Sequence, residues 1–106
     1  MTVEDRRIKL SDMLHSIFDY PDQIYFDPPE GKKIVYPAII YERQKVNTTN
    51  ADNKKYFVWD RYQLTYISKR RDDPMLDRIL SLPYCEHDRP FKKDDLYHDV
   101  FTIYIS

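Results

Sequence analysis

Hydrophobic residues recur every three or four positions near the start of the chain, which is typical of an amphipathic helix. The pattern predicts a helix over residues 3–19, with Thr2 as its N-cap, Asp5 three positions on, and Pro21 ending it. Polar residues, Arg6 among them, are expected away from the buried side. The predicted buried stripe consists of Leu10, Met13, Leu14, Ile17 and Phe18.

Two longer segments have the composition of strands. The first, Ile34 to Arg43, is apolar on both faces, which is typical of a central strand. Because Pro37 lacks a backbone N–H, either the strand begins after it, which we favour, or Pro37 marks a bulge or an edge. The second, Asp60 to Lys69, alternates, with Tyr62, Leu64, Tyr66 and Ser68 on one face.

Shorter elements surround this pair. A strand is predicted over Gln23 to Phe26, followed by a turn at DPPEGKK. Asp73 and Pro74 open a short helix, which Pro83 ends. The segment YCEHD reads as a strand, and RPFKKDD as the link to a last strand, Leu96 to Ile105. The buried side of the short helix is predicted to be Met75, Leu76, Ile79, Leu80 and Leu82.

This element order predicts an α+β fold, a mainly antiparallel sheet of about four to five strands backed by two helices. The 106 residues fit one domain, 1–106. Between the second and third strands lies a long polar segment, residues 44–59, which exceeds the usual hairpin connection. It is either a protruding β-arm or a loop that a partner orders, and a solvated loop without a partner is the remaining alternative.

Composition narrows the function classes. Seventeen basic residues against 18 acidic ones give a net charge of −1, so no overall field attracts nucleic acid or membranes. Ten tyrosines suit wide, partly polar contact surfaces. The lone Cys85 allows no internal disulfide and is expected to be a small buried residue. The amino terminus lacks an apolar signal segment, so a soluble intracellular protein is expected.

Candidate chemistry is sparse. His87–Asp88 and His98–Asp99 contain metal-ligand types, but successive strand residues point to opposite faces, so a metal site would require the two histidines to meet across paired strands. One glycine permits no phosphate-binding loop, and no nucleophile elbow occurs. We therefore expect no enzyme, metal or cofactor. The run Lys69 to Arg71 leaves one alternative, a small nucleic-acid-binding module, although Asp72 and Asp73 follow it directly.

Four blocks of the sequence together resemble the tail completion or tail terminator proteins of long-tailed bacteriophages and prophages. They are YPAIIYER, the polar NTTNADNKKYF segment, DRYQLTYISKRRDD with the helix after it, and CEHDRPFKKDDLYHDVFTIYI. The resemblance implies a non-enzymatic virion protein, assembled in the bacterial cytoplasm, that forms a ring, typically hexameric, at the head-proximal end of the tail tube. Such a ring ends tail growth and presents a surface to the head connector.

The resemblance also implies contact residues and partners. The partners would be other copies of the chain, the tail tube protein and the head–tail connector protein, with no membrane and no specific nucleic acid. Asn47 to Tyr56 matches the family's extended segment between the second and third strands, and Asp88 to Asp95 matches the loop before the last strand. The implied subunit or tube contacts are Asn47, Thr48, Thr49, Asn50, Asp52, Asn53, Lys54, Lys55, Tyr56, Arg89, Phe91, Lys92 and Lys93.

Overall fold

The computed structural model describes residues 2–51 and 54–106, and for 47–51 and 54–58 it describes the backbone alone. The elements follow the predicted order, with a single 3₁₀ turn, Pro21–Gln23, added before the first strand. The helices are α1 (Val3–Ile17) and α2 (Met75–Leu80). The strands are β1 (Ile24–Phe26), β2 (Ala38–Ala51), β3 (Lys54–Ser68), β4 (Cys85–Lys93) and β5 (Leu96–Ile105).

The five strands form one sheet in the order β1-β2-β3-β5-β4. The α+β class is confirmed, and the sheet is mostly antiparallel, but β1 and β2 pair in parallel. The DPPEGKK segment is therefore part of a crossover rather than a simple reversing turn, because parallel neighbours need a longer connection. The connection is held back on the sheet where the Val35 N–H donates to the Tyr25 hydroxyl at 3.1 Å.

Helix α1 begins as its sequence predicts. The Thr2 hydroxyl accepts the Asp5 N–H at 3.0 Å, and the Asp5 carboxylate accepts the Thr2 N–H at 2.9 Å, which together form a capping box. These bonds lower the pKa of Asp5. The helix ends at Ile17 rather than residue 19, because Phe18 already has extended backbone angles.

Both helices contribute to one hydrophobic core on the sheet. Leu10, Leu14 and Phe18 of the predicted stripe are buried there, with Met13 and Ile17 packed at its margin. The prediction for Arg6 is wrong, since this residue is also buried. The remaining core residues are Ile39, Tyr41, Tyr62, Leu64, Tyr66, Met75, Ile79, Leu82, Phe101, Ile103 and Ile105.

Some predicted boundaries of the long strands hold, but β2 continues past Arg43 to Ala51, and β3 ends at Ser68 instead of Lys69. Strand β2 begins at Ala38, directly after Pro37, and β5 spans Leu96–Ile105 as predicted. Strand β3, however, begins at Lys54 instead of Asp60. Residues 44–51 and 54–59 of the segment between the predicted strands thus belong to the two strands of a β-arm.

Two predictions for the last third of the chain are wrong. Leu80 is 43% exposed rather than buried, because α2 is only six residues long and ends there. The RPFKKDD segment is not a link: β4 continues to Lys93, and Asp94 and Asp95, with φ of 54° and 61°, make a two-residue turn into β5. Pro90 is tolerated because β4 is an edge strand.

Candidate interaction surface

The arm is the part of β2 and β3 that has no other strand beside it. The pairing of β3 with β5 ends at Asp60 and Ile105, and β1 pairs with β2 only up to Tyr41. From the pair Asn47–Trp59 to the pair Ala51–Lys54, β2 and β3 pair only with each other among the residues that the structure describes. The principal extents of the chain, 51 × 25 × 23 Å, fit such an elongated shape.

Most of the predicted contact residues between Asn47 and Tyr56 lie on this arm. Asn47, Thr48, Thr49 and Asn50 belong to β2, and the segment from Lys54 to Tyr56 belongs to β3. The backbone pairing has an irregularity between Thr49 and Asn50. Asp52 and Asn53 lie outside the described residues. The arm thus gathers these positions at one end of the sheet.

A buried ion cluster supports the foot of the arm. Asp60 Oδ2 lies 3.2 Å from Arg6 Nε on α1 and 3.4 Å from Arg43 Nε on β2. Arg43 also donates to the Tyr62 hydroxyl at 2.9 Å and to the Val3 carbonyl at 3.4 Å. Burial raises the pKa of Tyr62, although the hydrogen bond from Arg43 opposes this. Both the start of α1 and the base of the arm are therefore fixed on one carboxylate.

An aromatic pocket lies where β5 ends beside β3. It has a volume of about 290 Å³ and is lined by Trp59, Tyr84, Tyr104 and Ser106. The Trp59 and Tyr104 rings pack with centroids 5.0 Å apart, whereas Tyr84 is 76% exposed. An apolar side chain from another molecule could bury itself against these rings. Sequence reasoning missed this pocket because its residues come from three separate segments.

The predicted contact residues between Arg89 and Lys93 lie toward the opposite end of the sheet. Arg89, Phe91, Lys92 and Lys93 all lie on β4, which pairs with β5 so that Lys93 faces Leu96 and Cys85 faces Ile103. The end of β5 at Ile105 pairs with Asp60 at the base of the arm, so the β4–β5 turn at the start of β5 lies at the end of the sheet away from the arm. Phe91 stacks on His98 with centroids 4.5 Å apart. The structure therefore separates the two predicted surfaces.

The run Lys69–Arg71 occupies an exposed turn at the same end as the β4–β5 turn. The Arg71 guanidinium lies 5.5 Å from the Tyr97 ring centroid, and Lys92 Nζ lies 5.2 Å from the same centroid. Lys69 and Arg70 border a groove of about 440 Å³ between the end of α1 and the start of α2. The groove also contains acidic groups, so its charge is mixed.

Asp73 in this groove has a structural task. Its carboxylate accepts the Tyr66 and Ser68 hydroxyls at 2.8 and 3.0 Å and the Met75 N–H at 2.9 Å. Burial alone would raise the pKa of Asp73, but these three donors lower it below the ordinary value. Asp73 therefore ties the end of β3 to the start of α2.

The two histidines considered as metal ligands do not meet. His87 pairs with Asp99, Nε2 to Oδ1 at 2.9 Å, while His98 stacks on Phe91. Within residues 2–51 and 54–106, no three His, Cys, Asp or Glu side chains are placed to hold a metal ion. Cys85 is half-buried, and burial, followed by the nearby Asp88 and Glu86, raises its pKa to about 11. Its expected role as a packing residue agrees with this environment.

Comparison with known proteins gives no family: neither a protein-family model nor a curated protein matches the chain. In the described part of the chain, neither helix has the length and apolar character needed to cross a membrane.

Proposed function

We propose that this protein is a structural assembly protein of a bacteriophage tail, without enzymatic activity. Copies of the chain form a ring at the head-proximal end of the tail tube, which ends tail growth and provides the surface for the head connector. The observation that carries this proposal is the arm, which extends two strands beyond the rest of the sheet. The resemblance of the four sequence blocks gives the proposal its biological setting.

The arm suits assembly because an isolated two-stranded hairpin is only marginally stable in water. A hairpin that extends from the sheet is better explained if a neighbouring molecule covers it. The foot of the arm is well supported, since Asp60 binds arginines from α1 and β2. The chain therefore stabilises the position of the arm while leaving its length available for contact.

The separation of the two predicted surfaces also supports this function. The arm lies at one end of the sheet, and the β4–β5 turn with Lys92 and Lys93 lies at the other. A ring between a tube and a connector needs two chemically different faces, so that the tube cannot keep growing through it. Mixed charges and a net charge of −1 suit short-range contacts of this type.

The test is an in-register shortening of the arm. Thr48–Val58 is replaced by Asn-Gly, which favours a two-residue turn and keeps the pair Asn47–Trp59. We expect a folded monomer, judged by circular dichroism and thermal unfolding, that no longer forms rings or joins tails to heads. The control carries the same dipeptide at the other end, Asp94→Asn with Asp95→Gly, and should still form rings. Normal infectious particles from the shortened variant would contradict the proposal.

A second candidate function is a small nucleic-acid-binding module. One observation favours it: Lys69 and Arg70 border a groove whose walls include the aromatic residues Phe18, Tyr20 and Tyr36. Cations beside aromatic rings are the groups that bind single-stranded nucleic acids. Salt-dependent binding that requires these basic residues would favour this function over assembly.

A further inference from the structure

The two strands of the arm expose different edges. On the β2 side, no strand pairs with the segment from Glu42 to Ala51 except β3, within the described residues. On the β3 side, the segment from Lys54 to Trp59 extends past the end of β5 and, in the part of the chain that the structure describes, pairs only with β2. Each edge therefore presents backbone N–H and C=O groups that a further strand can pair with.

The chain treats its other long edge differently. Strand β4 carries Pro90 and charged side chains along its length, including Lys92 and Lys93, which are features that discourage strand addition. On the arm, by contrast, neither edge contains a proline. Its charged residues lie at the start of each edge segment, and Asn47–Ala51 and Tyr56–Trp59 carry no charge. The charged residues are Glu42, Arg43, Lys45, Lys54 and Lys55. Valine, threonine and aromatic residues, which favour strands, make up much of both segments. The uncharged parts of the two arm edges are thus better suited to pairing than the β4 edge.

We infer that the arm of one copy pairs edge to edge with the arm of a second copy, β2 of one against the Lys54–Trp59 edge of the next. This inference deepens the proposed function and rests on its claim that copies of the chain associate. Main-chain hydrogen bonds supply the contact, as in other cases of strand addition. The partner is a second copy because this arm itself offers both free edges that such a contact needs.

Pairing of two unlike edges has a consequence for symmetry. A contact between two different patches is heterologous, so each copy still has one free edge after joining its neighbour, and the series stops only when it closes into a ring. Pairing of like edges would instead stop at a dimer. The proposed contact therefore allows a ring where the rotation between successive copies closes, and gives an open filament where it does not.

The aromatic pocket lies at the foot of the receiving edge. A strand that continues the line of β5 along Lys54–Trp59 would approach the rings of Trp59, Tyr84 and Tyr104. Because Tyr84 is largely exposed, an incoming apolar side chain would bury its ring and add hydrophobic stabilisation to the backbone pairing. In the proposed contact, the copy that receives the strand would therefore also use Tyr84 and Tyr104, which lie outside the arm.

The experiment uses disulfide cross-linking between two singly substituted proteins. Both carry Cys85→Ser, which removes the native thiol; one has Thr48→Cys on β2, and the other has a cysteine at one position from Lys54 to Val58 on β3, scanned in turn. Pairing of unlike edges predicts that at least one mixture cross-links about tenfold more than either protein alone, because a disulfide needs its Cα atoms within roughly 7 Å. Lys92→Cys on the β4 edge, mixed with Thr48→Cys, gives the background.

Two results would overturn the inference. The first is cross-linking at no β3 position above the Lys92→Cys background, measured at the highest soluble concentration with and without tail tubes. The second is that Thr48→Cys alone cross-links as strongly as the mixtures, which would show pairing of like edges. The outcome is separable from the proposed function: cross-linked rings that never bind tubes would refute the tail assignment alone, and rings that bind tubes without arm cross-links would refute the pairing alone.

Discussion

Arg6 and Asp60 face each other inside the protein, with 3.2 Å between Nε and Oδ2 and side-chain exposures of 3% and 0%. Arg43 Nε lies 3.4 Å from the same oxygen. Two guanidinium groups therefore share one carboxylate; Arg6 and Asp60 are buried, and the Arg43 side chain is 26% exposed. Such an arrangement is sensitive to loss of the central charge, because both cations would then be left without it.

Replacing the carboxylate should be costly. We expect Asp60→Asn to lower the free energy of unfolding by about 3–5 kcal/mol, the range found when one partner of a buried ion pair is removed. Urea unfolding followed by circular dichroism measures the change. The matched control is Asp19→Asn, which removes an exposed pair with Arg78 at 3.4 Å and should cost less than about 1 kcal/mol. Equal losses in both variants would show that Asp60 has no special role.

Asp73 should make stability depend on pH in the acid range. Its folded pKa lies below the ordinary value of 3.8, so the unfolded chain takes up a proton first as the pH falls. The stabilisation is therefore complete above about pH 3.8 and is lost as the pH falls through the folded pKa. At neutral pH we expect Asp73→Asn to cost about 1–2 kcal/mol, since the amide replaces one acceptor oxygen.

The check on Asp73 is urea unfolding at a series of pH values from neutral down to the acid transition. The difference in stability between the native protein and Asp73→Asn should shrink below pH 3.8. Asp12→Asn, on the exposed face of α1, serves as the control and should leave the pH profile unchanged. A constant difference across the series would mean that the hydrogen bonds to Asp73 do not depend on its charge.

Cys85 should react slowly with thiol reagents. With a pKa of about 11 against an ordinary value of 9.0, its thiolate fraction at pH 8 is about a hundredfold lower than that of an unperturbed cysteine. We expect a correspondingly slower reaction with a disulfide reagent, monitored by absorbance. The protein in urea should react at the ordinary rate, and Glu86→Gln with Asp88→Asn should accelerate the folded protein modestly. An unchanged rate on unfolding would contradict the assigned environment.

The basic run should not act as a nucleic-acid site. We expect neither the native protein nor the variant Lys69→Gln, Arg70→Gln, Arg71→Gln to retard DNA at physiological ionic strength, because Asp72 and Asp73 adjoin the run and Arg71 is held over Tyr97. Gel retardation at several salt concentrations tests this. Lys32→Gln with Lys33→Gln, in the exposed crossover, is the control for general charge. Binding that only the triple variant loses would support the nucleic-acid module.

Local signals allowed much of the fold to be predicted. The Thr2–Asp5 capping box, the stripe through Leu10 and Leu14, and the start of β2 after Pro37 all depend on neighbouring residues, which a sequence shows directly. The turn at Asp94 and Asp95 was missed because such turns usually carry glycine. Without that turn, the charged residues of β4 resembled a link rather than an edge strand.

Long-range relationships could not be predicted in this way. Arg6 counts as polar in a hydrophobic pattern, and its burial becomes understandable from its ion pair with Asp60, far along the chain. The parallel pairing of β1 with β2 depends on the path of the crossover, which no local motif specifies. The arm was foreseen as one of several alternatives for residues 44–59, but its free edges follow from where β1 and β5 stop pairing.

The ion pairs of Asp60 also affect how a force on the arm would reach the rest of the subunit. Arg6 lies near the start of α1. Asp60 is the position of β3 nearest to the arm that still has a strand on both sides. A force applied to the arm would be transmitted to the base of the arm, at Asp60. Because Arg6 of α1 forms an ion pair with Asp60 there, we expect part of this load to pass into the helix rather than only into the base of the hairpin.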